Sequence, residues 1–168
     1  MLAARLCHYR GIRGRCFPVR LGTVGGGAYC ARRIACLPER VEILVIEDET
    51  LIRMMIEDAL TEAGFAVTSV ANGHEAIALL GDPAQSFAGA VTDVRLGRSP
   101  DGWEVARQAR ETRPGIAIVY ITGDSGHEWS AKGVPNSVVL GKPFAIAQIT
   151  TAVATLLNAA AVEPHTAG

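Results

Sequence analysis

From Val41 to about residue 160, short apolar runs alternate with stretches of helical periodicity. That alternation limits the possible folds more than any other feature of the chain. The strand-like runs are 42–46 (EILVI), 66–70 (AVTSV), 88–92 (AGAVT), 116–121 (IAIVYI) and 137–140 (SVVL). Helices are expected over about 50–63, 73–81, 102–112 and 145–160, with a short weak one near 125–132. In the last of the long ones, Ile146, Ile149, Val153 and Leu156 make a single apolar stripe. Gly64, Asp82-Pro83 and Arg113-Pro114 are natural stops. Five strand–helix alternations predict an α/β domain, a doubly wound five-stranded parallel sheet with helices on both faces.

Ligands of such open sheets bind beyond the carboxyl ends of the strands, so the residues that follow each run are the candidates for chemistry. The first run ends in Glu47 and Asp48, the third in Asp93, the fourth in Thr122 and the fifth in Lys142. The second ends in Ala71-Asn72 and offers nothing comparable. Three carboxylates at one edge repel one another unless a cation sits among them. Hard oxygen donors of this kind suit Mg2+, which keeps waters and phosphate oxygens as its other ligands. Lys142 adds a positive charge and Thr122 a hydroxyl donor, which together suit a phosphoryl group. One carboxylate could then act as the nucleophile and form an aspartyl-phosphate. Taken singly, Asp48 or Thr50 could merely cap the first helix, and Asp101 is expected to cap the third. It is the convergence of five groups from four strands that points to a site.

The near-neutral total charge conceals a division. Residues 1–40 hold eight arginines and one acid, Glu39, whereas residues 41–168 hold eight Lys/Arg and sixteen Asp/Glu. All four cysteines (Cys7, Cys16, Cys30, Cys36) also lie in the first forty residues, at spacings that match no C-x-x-C metal pattern. The remainder needs no disulfide, which fits a reducing compartment, and a cytoplasmic location is expected. Residues 1–40 show no sustained periodicity and are expected to be a basic, disordered extension. They could be an Arg-rich targeting segment, a basic arm for nucleic acid or acidic lipid, or the product of a mis-assigned start whose true position is near Val41. No apolar run approaches transmembrane length. The "GGG" at 25–27 lacks the Lys-Ser/Thr of a phosphate-binding loop. His74 and His165 are expected in solvent, His127 and Trp129 at the surface or facing a partner, and Met54-Met55 in the core or on a helix face.

Four motifs carry a resemblance to a known family: VIEDE (45–49), TDVRLGRSPDGWEVA (92–106), YITGD (120–124) and GKPF (141–144). Residues 41–160 resemble the receiver domain of two-component response regulators, leaving 161–168 as a C-terminal tail. The resemblance implies a flavodoxin-like (βα)5 fold with strand order 2-1-3-4-5. It implies that Asp93 is the phospho-acceptor and that Glu47 and Asp48 hold Mg2+ with Asp93 and the backbone carbonyl of Arg95. By the same likeness Thr122 is the hydroxyl that shifts towards the phosphoryl group, Lys142 pairs with its oxygens, and the Lys142-Pro143 bond is cis. Two departures stand out. Gly97 takes the place of a common proline, in a loop about one residue longer than usual. Val139 takes the place of an aromatic three residues before the lysine, so the short fourth helix is a candidate to carry the switching instead.

The expected function is that of a stand-alone, bacterial-type response regulator. A sensor histidine kinase or phosphotransfer protein would donate the phosphoryl group, and output would pass through protein contacts or a phosphate shuttle or sink. The resemblance implies no turnover enzyme, at most weak self-catalysed phosphorylation and dephosphorylation. Neither direct nucleic-acid binding by the receiver nor a membrane role is expected, and the state is a monomer or a weak phosphorylation-dependent dimer. Rival readings are a phosphate-independent docking module with a receiver fold, and a nucleic-acid binder acting through the basic tail. A third is an aspartyl-nucleophile phosphatase, whose second aspartate is replaced here by Arg95.

Overall fold

The computed structural model describes residues 6–9, 12–15, 40–97 and 100–162. Its contacts divide the chain into two compact units, Met1–Arg40 and Val41–Gly168. In the first, Leu6–Tyr9 pairs antiparallel with Ile12–Arg15, Tyr9 facing Ile12. No regular element was expected there. The signal in the sequence is the two-residue connection Arg10-Gly11, short enough for a hairpin and supplied with a glycine. The "GGG" stretch, His165 and the tail 161–168, apart from the helical backbone of 161–162, lie outside the described residues.

The second unit holds strands β1 (Glu42–Ile46), β2 (Ala66–Val70), β3 (Phe87–Asp93), β4 (Ala117–Thr122) and β5 (Ser137–Gly141). All pair parallel, in the order β2-β1-β3-β4-β5 expected from the resemblance. The helices are α1 (Thr50–Glu62), α2 (Gly73–Gly81), α3 (Gly102–Thr112), a 3-10 turn over Ser125–Glu128 that runs into α4 (Trp129–Lys132), and α5 (Ile146–Val162).

Alternation along the strands divides the core into two layers. Ile43 and Val45 of β1 join Val91, Val119 and Ile121 under α1 and α5, where they meet Ile56, Leu60, Ile149 and Val153. Leu44 and Ile46 turn the other way, with Ala90, Ile118 and Tyr120, against Leu80, Trp103, Val105 and Ala109 of α2 and α3. Because β1 is buried on both faces, it reads as one continuous apolar run. Each such large side chain contributes about 1.5–3 kcal/mol through removal from water. Helix ends follow local chemistry. Asn72 accepts from the Glu75 N–H (3.0 Å) and Asp101 from the Glu104 N–H (2.9 Å), both as N-caps. Gly64, at φ +94°, ends α1.

Register puts the strand ends level. Ile46 pairs with Thr92, Asp93 with Ile121, and Thr122 with Gly141. Glu47, Asp93, Thr122 and Lys142 therefore emerge side by side. The loop after β3 is held close by α3. A Cβ on Gly102 would lie 2.1 Å from the Asp93 carbonyl oxygen, so only glycine lets α3 start there. Gly102→Ala is expected to destabilise the domain by about 2–3 kcal/mol or more, measured by urea denaturation, whereas Gly115→Ala, with open space around it, should change stability far less.

Candidate functional site

Glu47 follows β1 and is fully buried, and its backbone N–H donates to the Val70 carbonyl at 3.2 Å. Its carboxylate sits beside Asp93, the last residue of β3, which is 6 % exposed. The Lys142 ammonium joins them, donating to Asp93 Oδ2 at 2.6 Å and to Glu47 Oε2 at 2.9 Å. The Lys142 N–H donates to the Thr122 carbonyl at 2.7 Å, so the sheet ladder itself brings the lysine to this edge. The Lys142-Pro143 peptide that follows is cis, as the resemblance implied. Asp48 is exposed and sits at the mouth. It is not spent as a helix cap: Glu49 holds the N-cap position of α1 and makes no side-chain capping bond. One carboxylate oxygen from each of Glu47, Asp48 and Asp93 lies within 4.8 Å of the others.

The electrostatics follow from two buried carboxylates sharing one ammonium. Burial pushes Glu47 above the usual carboxylate range, Asp93 pushes it the same way, and the bond from Lys142 only partly offsets them. Burial alone would lower Lys142, but its bonds to Asp93 and Glu47 outweigh this and hold it above its ordinary value. One ammonium does not balance the carboxylates gathered here. The donor set, three carboxylates with one open to solvent, fits Mg2+.

The remaining expected residues fall around this centre. The Arg95 N–H donates to Asp93 Oδ1 at 3.1 Å, which sets the backbone of residue 95 against the carboxylate. The Arg95 side chain turns outward, with Nε 3.4 Å from Ser125 Oγ and Nη1 3.7 Å from Asp124 Oδ2. Thr122 is 1 % exposed, and its hydroxyl accepts from the Ser125 N–H at 2.9 Å. Gly97 has φ +68°, and a Cβ there would lie 3.4 Å from Asp48 Oδ2.

Some contributors had no signal in the motifs. Arg53 donates from Nη1 to the Glu47 carbonyl at 2.7 Å; it lies six residues on, within the second turn of α1, a spacing that could have suggested it. Ser125 is buried. Trp129, expected at the surface or facing a partner, is half-buried against the α2/α3 layer. Its indole N–H donates to Ser137 Oγ at 3.0 Å, which satisfies the one polar atom that would have kept it in water. His127 is exposed as expected, and so is His74. Met54 and Met55 lie on a helix face, both exposed.

The family model for the response regulator receiver domain matches residues 43–154. The chain belongs to that family. A response regulator receiver protein from Sinorhizobium medicae WSM419 is 48% identical, with a TM-score of 0.71 over 73% of this chain and 98% of its own. The receiver protein CpdR of Brucella abortus is 33% identical over 126 residues, which are 70% of this chain and 98% of CpdR. The receiver domain of sensor histidine kinase PA1611 from Pseudomonas aeruginosa PAO1 was solved with a magnesium ion in its active-site cleft. It is 25% identical, with a TM-score of 0.62 over 71% of this chain and 99% of that one. Other curated relatives are longer: the chain spans 12% of the sensor kinase CckA of Brucella abortus and 52% of CusR of Escherichia coli. Receiver domains are phospho-acceptor signalling modules, not turnover enzymes.

Removing the shared cation should expose the balance of charges. Lys142→Met is expected to cost roughly 2–3 kcal/mol at pH 7, less than for a fully enclosed pair because the lysine is partly exposed. The sign with pH is fixed by Glu47. Its raised folded pKa favours the folded state in acid, and that contribution fades as pH rises through the ordinary glutamate value near ~4.3 and then through the folded one. The penalty of the variant should therefore shrink between pH 7 and pH 4.5. The stabilisation from Lys142's own raised pKa persists below its unfolded value of about 10.4 and is lost only above it. Urea denaturation of both proteins at the two pH values checks this.

Proposed function

We propose that this chain is a single-domain response regulator in which Asp93 accepts a phosphoryl group from the phosphohistidine of a sensor kinase or phosphotransfer protein. The observation that carries the reading is the Lys142 ammonium bonded at once to Asp93 Oδ2 and Glu47 Oε2, with Asp48 drawn up alongside. An Asp93 oxygen attacks phosphorus as the bond to the imidazole nitrogen breaks, and the imidazole leaves with that electron pair. In this reading Lys142 follows the phosphoryl oxygens, and the Thr122 hydroxyl donates to one of them. Glu47, Asp48, Asp93 and the Arg95 carbonyl would hold Mg2+, which when bound offsets the negative charge of carboxylates and phosphoryl oxygens. An aspartyl-phosphatase is disfavoured because the position of its proton donor is Arg95, whose guanidinium lies by Asp124 and cannot protonate a leaving group.

Leu51, Met54 and Met55 are spaced one turn apart and form an exposed apolar patch on the first turns of α1, a surface on which the donor protein could rest. In this reading the chain works in the cytoplasm and acts through protein contacts or as a phosphate shuttle. Among the described residues no helix is long and apolar enough to cross a membrane.

Incubation with a small-molecule phosphodonor and Mg2+ should add one phosphoryl group by intact mass. Asp93→Asn should add none, and Lys142→Ala at least tenfold less. Chelation of Mg2+ should abolish the adduct in the wild type. A folded wild type that stays unmodified with Mg2+ and with a histidine-phosphorylated donor would sink the reading in favour of a docking module.

A further inference from the structure

Arg53 lies in α1, and its side chain runs back past the start of the helix to the strand end that carries Glu47. Helical side chains lean towards the N-terminus of their helix, so the reach is natural from that turn. Nη1 donates to the Glu47 carbonyl at 2.7 Å, a short bond of the kind a charged donor makes. Nη2 lies 3.5 Å from Thr50 Oγ1 and Nε 3.9 Å from Glu57 Oε1. The helix that carries it is seated on the sheet through Ile56 and Leu60, both fully buried. The donor therefore comes from a rigid element.

The backbone at Glu47 has two soft torsions, one to each flanking peptide plane. Both planes are held. The Glu47 N–H, on the plane shared with Ile46, donates to the Val70 carbonyl at 3.2 Å. The Glu47 carbonyl, on the plane shared with Asp48, accepts from Arg53. Fixing both planes sets the direction of the Glu47 side chain and the point from which Asp48 departs. Asp48 is exposed and takes its place from that backbone. One of its carboxylate oxygens still lies within 4.8 Å of those of Glu47 and Asp93.

Charge does not explain the contact. The guanidinium bonds a carbonyl, and the charges that act on the Glu47 carboxyl are those of Asp93 and Lys142. A cation beside the cluster would by itself repel a second one. Truncating the side chain should therefore tighten Mg2+ binding if charge governs, and weaken it if geometry does.

We propose that Arg53 is a positioning residue for the metal: by holding the Glu47–Asp48 peptide it keeps both carboxylates in place opposite Asp93, and so strengthens Mg2+ binding although it is itself a cation. This rests on the Mg2+ reading of the site, and the test separates the two.

Titration of the full chain with MgCl2, followed by the backbone amide NMR shifts of residues 47–49 and 93–95, reads the affinity without phosphodonor. Arg53→Met, which keeps an unbranched stem and loses the donors, should raise the midpoint roughly tenfold, the lower end of what the partners of metal ligands contribute. Arg53→Lys keeps the charge and loses the planar fork. It should also raise the midpoint, and it carries the test where Arg53→Met does not fold. Glu57→Gln, which removes the ion pair and leaves the bond to Glu47, should match the wild type. So should Ile56→Val, which loosens α1 from the core. With phosphodonor, the rate of adduct formation in Arg53→Met should return to the wild-type rate at saturating Mg2+. An unchanged or lowered midpoint in the Arg53 variants overturns the positioning role. An equal rise in Ile56→Val overturns it as well, since general loosening of α1 would then suffice. A rate that saturating Mg2+ does not restore also overturns it, by placing Arg53 in phosphoryl transfer itself. A wild type whose amides do not shift with Mg2+ overturns the metal reading and this inference with it.

Discussion

Two carboxylates taken out of water at the end of a parallel sheet share a single ammonium, and the rest of the site is arranged around that shortfall of positive charge. Glu47 has no solvent contact and Asp93 almost none. Lys142 bonds to both, yet Glu47 is still held above the usual carboxylate range by burial and by Asp93. A buried charge without full compensation is expensive. The arrangement therefore favours whatever brings more positive charge to the mouth, where Asp48 lies open. A divalent cation does so directly. A phosphoryl group on Asp93 would deepen the demand, because it adds roughly −1.5 to −2 charges and would draw on the same lysine.

The sheet makes this geometry possible at low conformational cost. Parallel pairing sets the ends of β1, β3, β4 and β5 level, and the layers above and below hold them there. Loop chemistry adds the finer placement. Gly102 lets α3 begin against the Asp93 carbonyl, and Gly97 lets the loop pass Asp48 with a left-handed residue. Arg53 and the Arg95 N–H then fix the backbone of Glu47 and the carboxylate of Asp93. Thr122 ties two elements together, its carbonyl accepting from the Lys142 N–H and its hydroxyl from the Ser125 N–H.

How much of this was legible in the sequence depended on range. The two-sided burial of β1 was visible in EILVI, and the strand ends were visible because apolar runs stop at charged or hydroxylated residues. Level strand ends in a parallel sheet follow from topology, so Glu47, Asp93, Thr122 and Lys142 could be expected to meet. Contacts set by side-chain reach were not visible. Nothing in YITGDSGHEW says that Thr122 caps Ser125 or that Arg95 arrives thirty residues away in sequence. Trp129 was expected at the surface or facing a partner, but Ser137 supplies the hydrogen bond that lets the indole pack inward. The hairpin at Leu6–Tyr9 and Ile12–Arg15 was passed over because four-residue strands carry too little periodicity to register.

The most direct test of this account is the titration of the Glu47 carboxyl, followed by carbon NMR with and without Mg2+. The account predicts a midpoint above the ordinary glutamate value of about 4.3 in the metal-free protein, and a clear fall when Mg2+ is added. A Glu47 that titrates at the ordinary value and does not move with Mg2+ would contradict it, since the carboxylate would then carry no unmet charge for a cation to relieve.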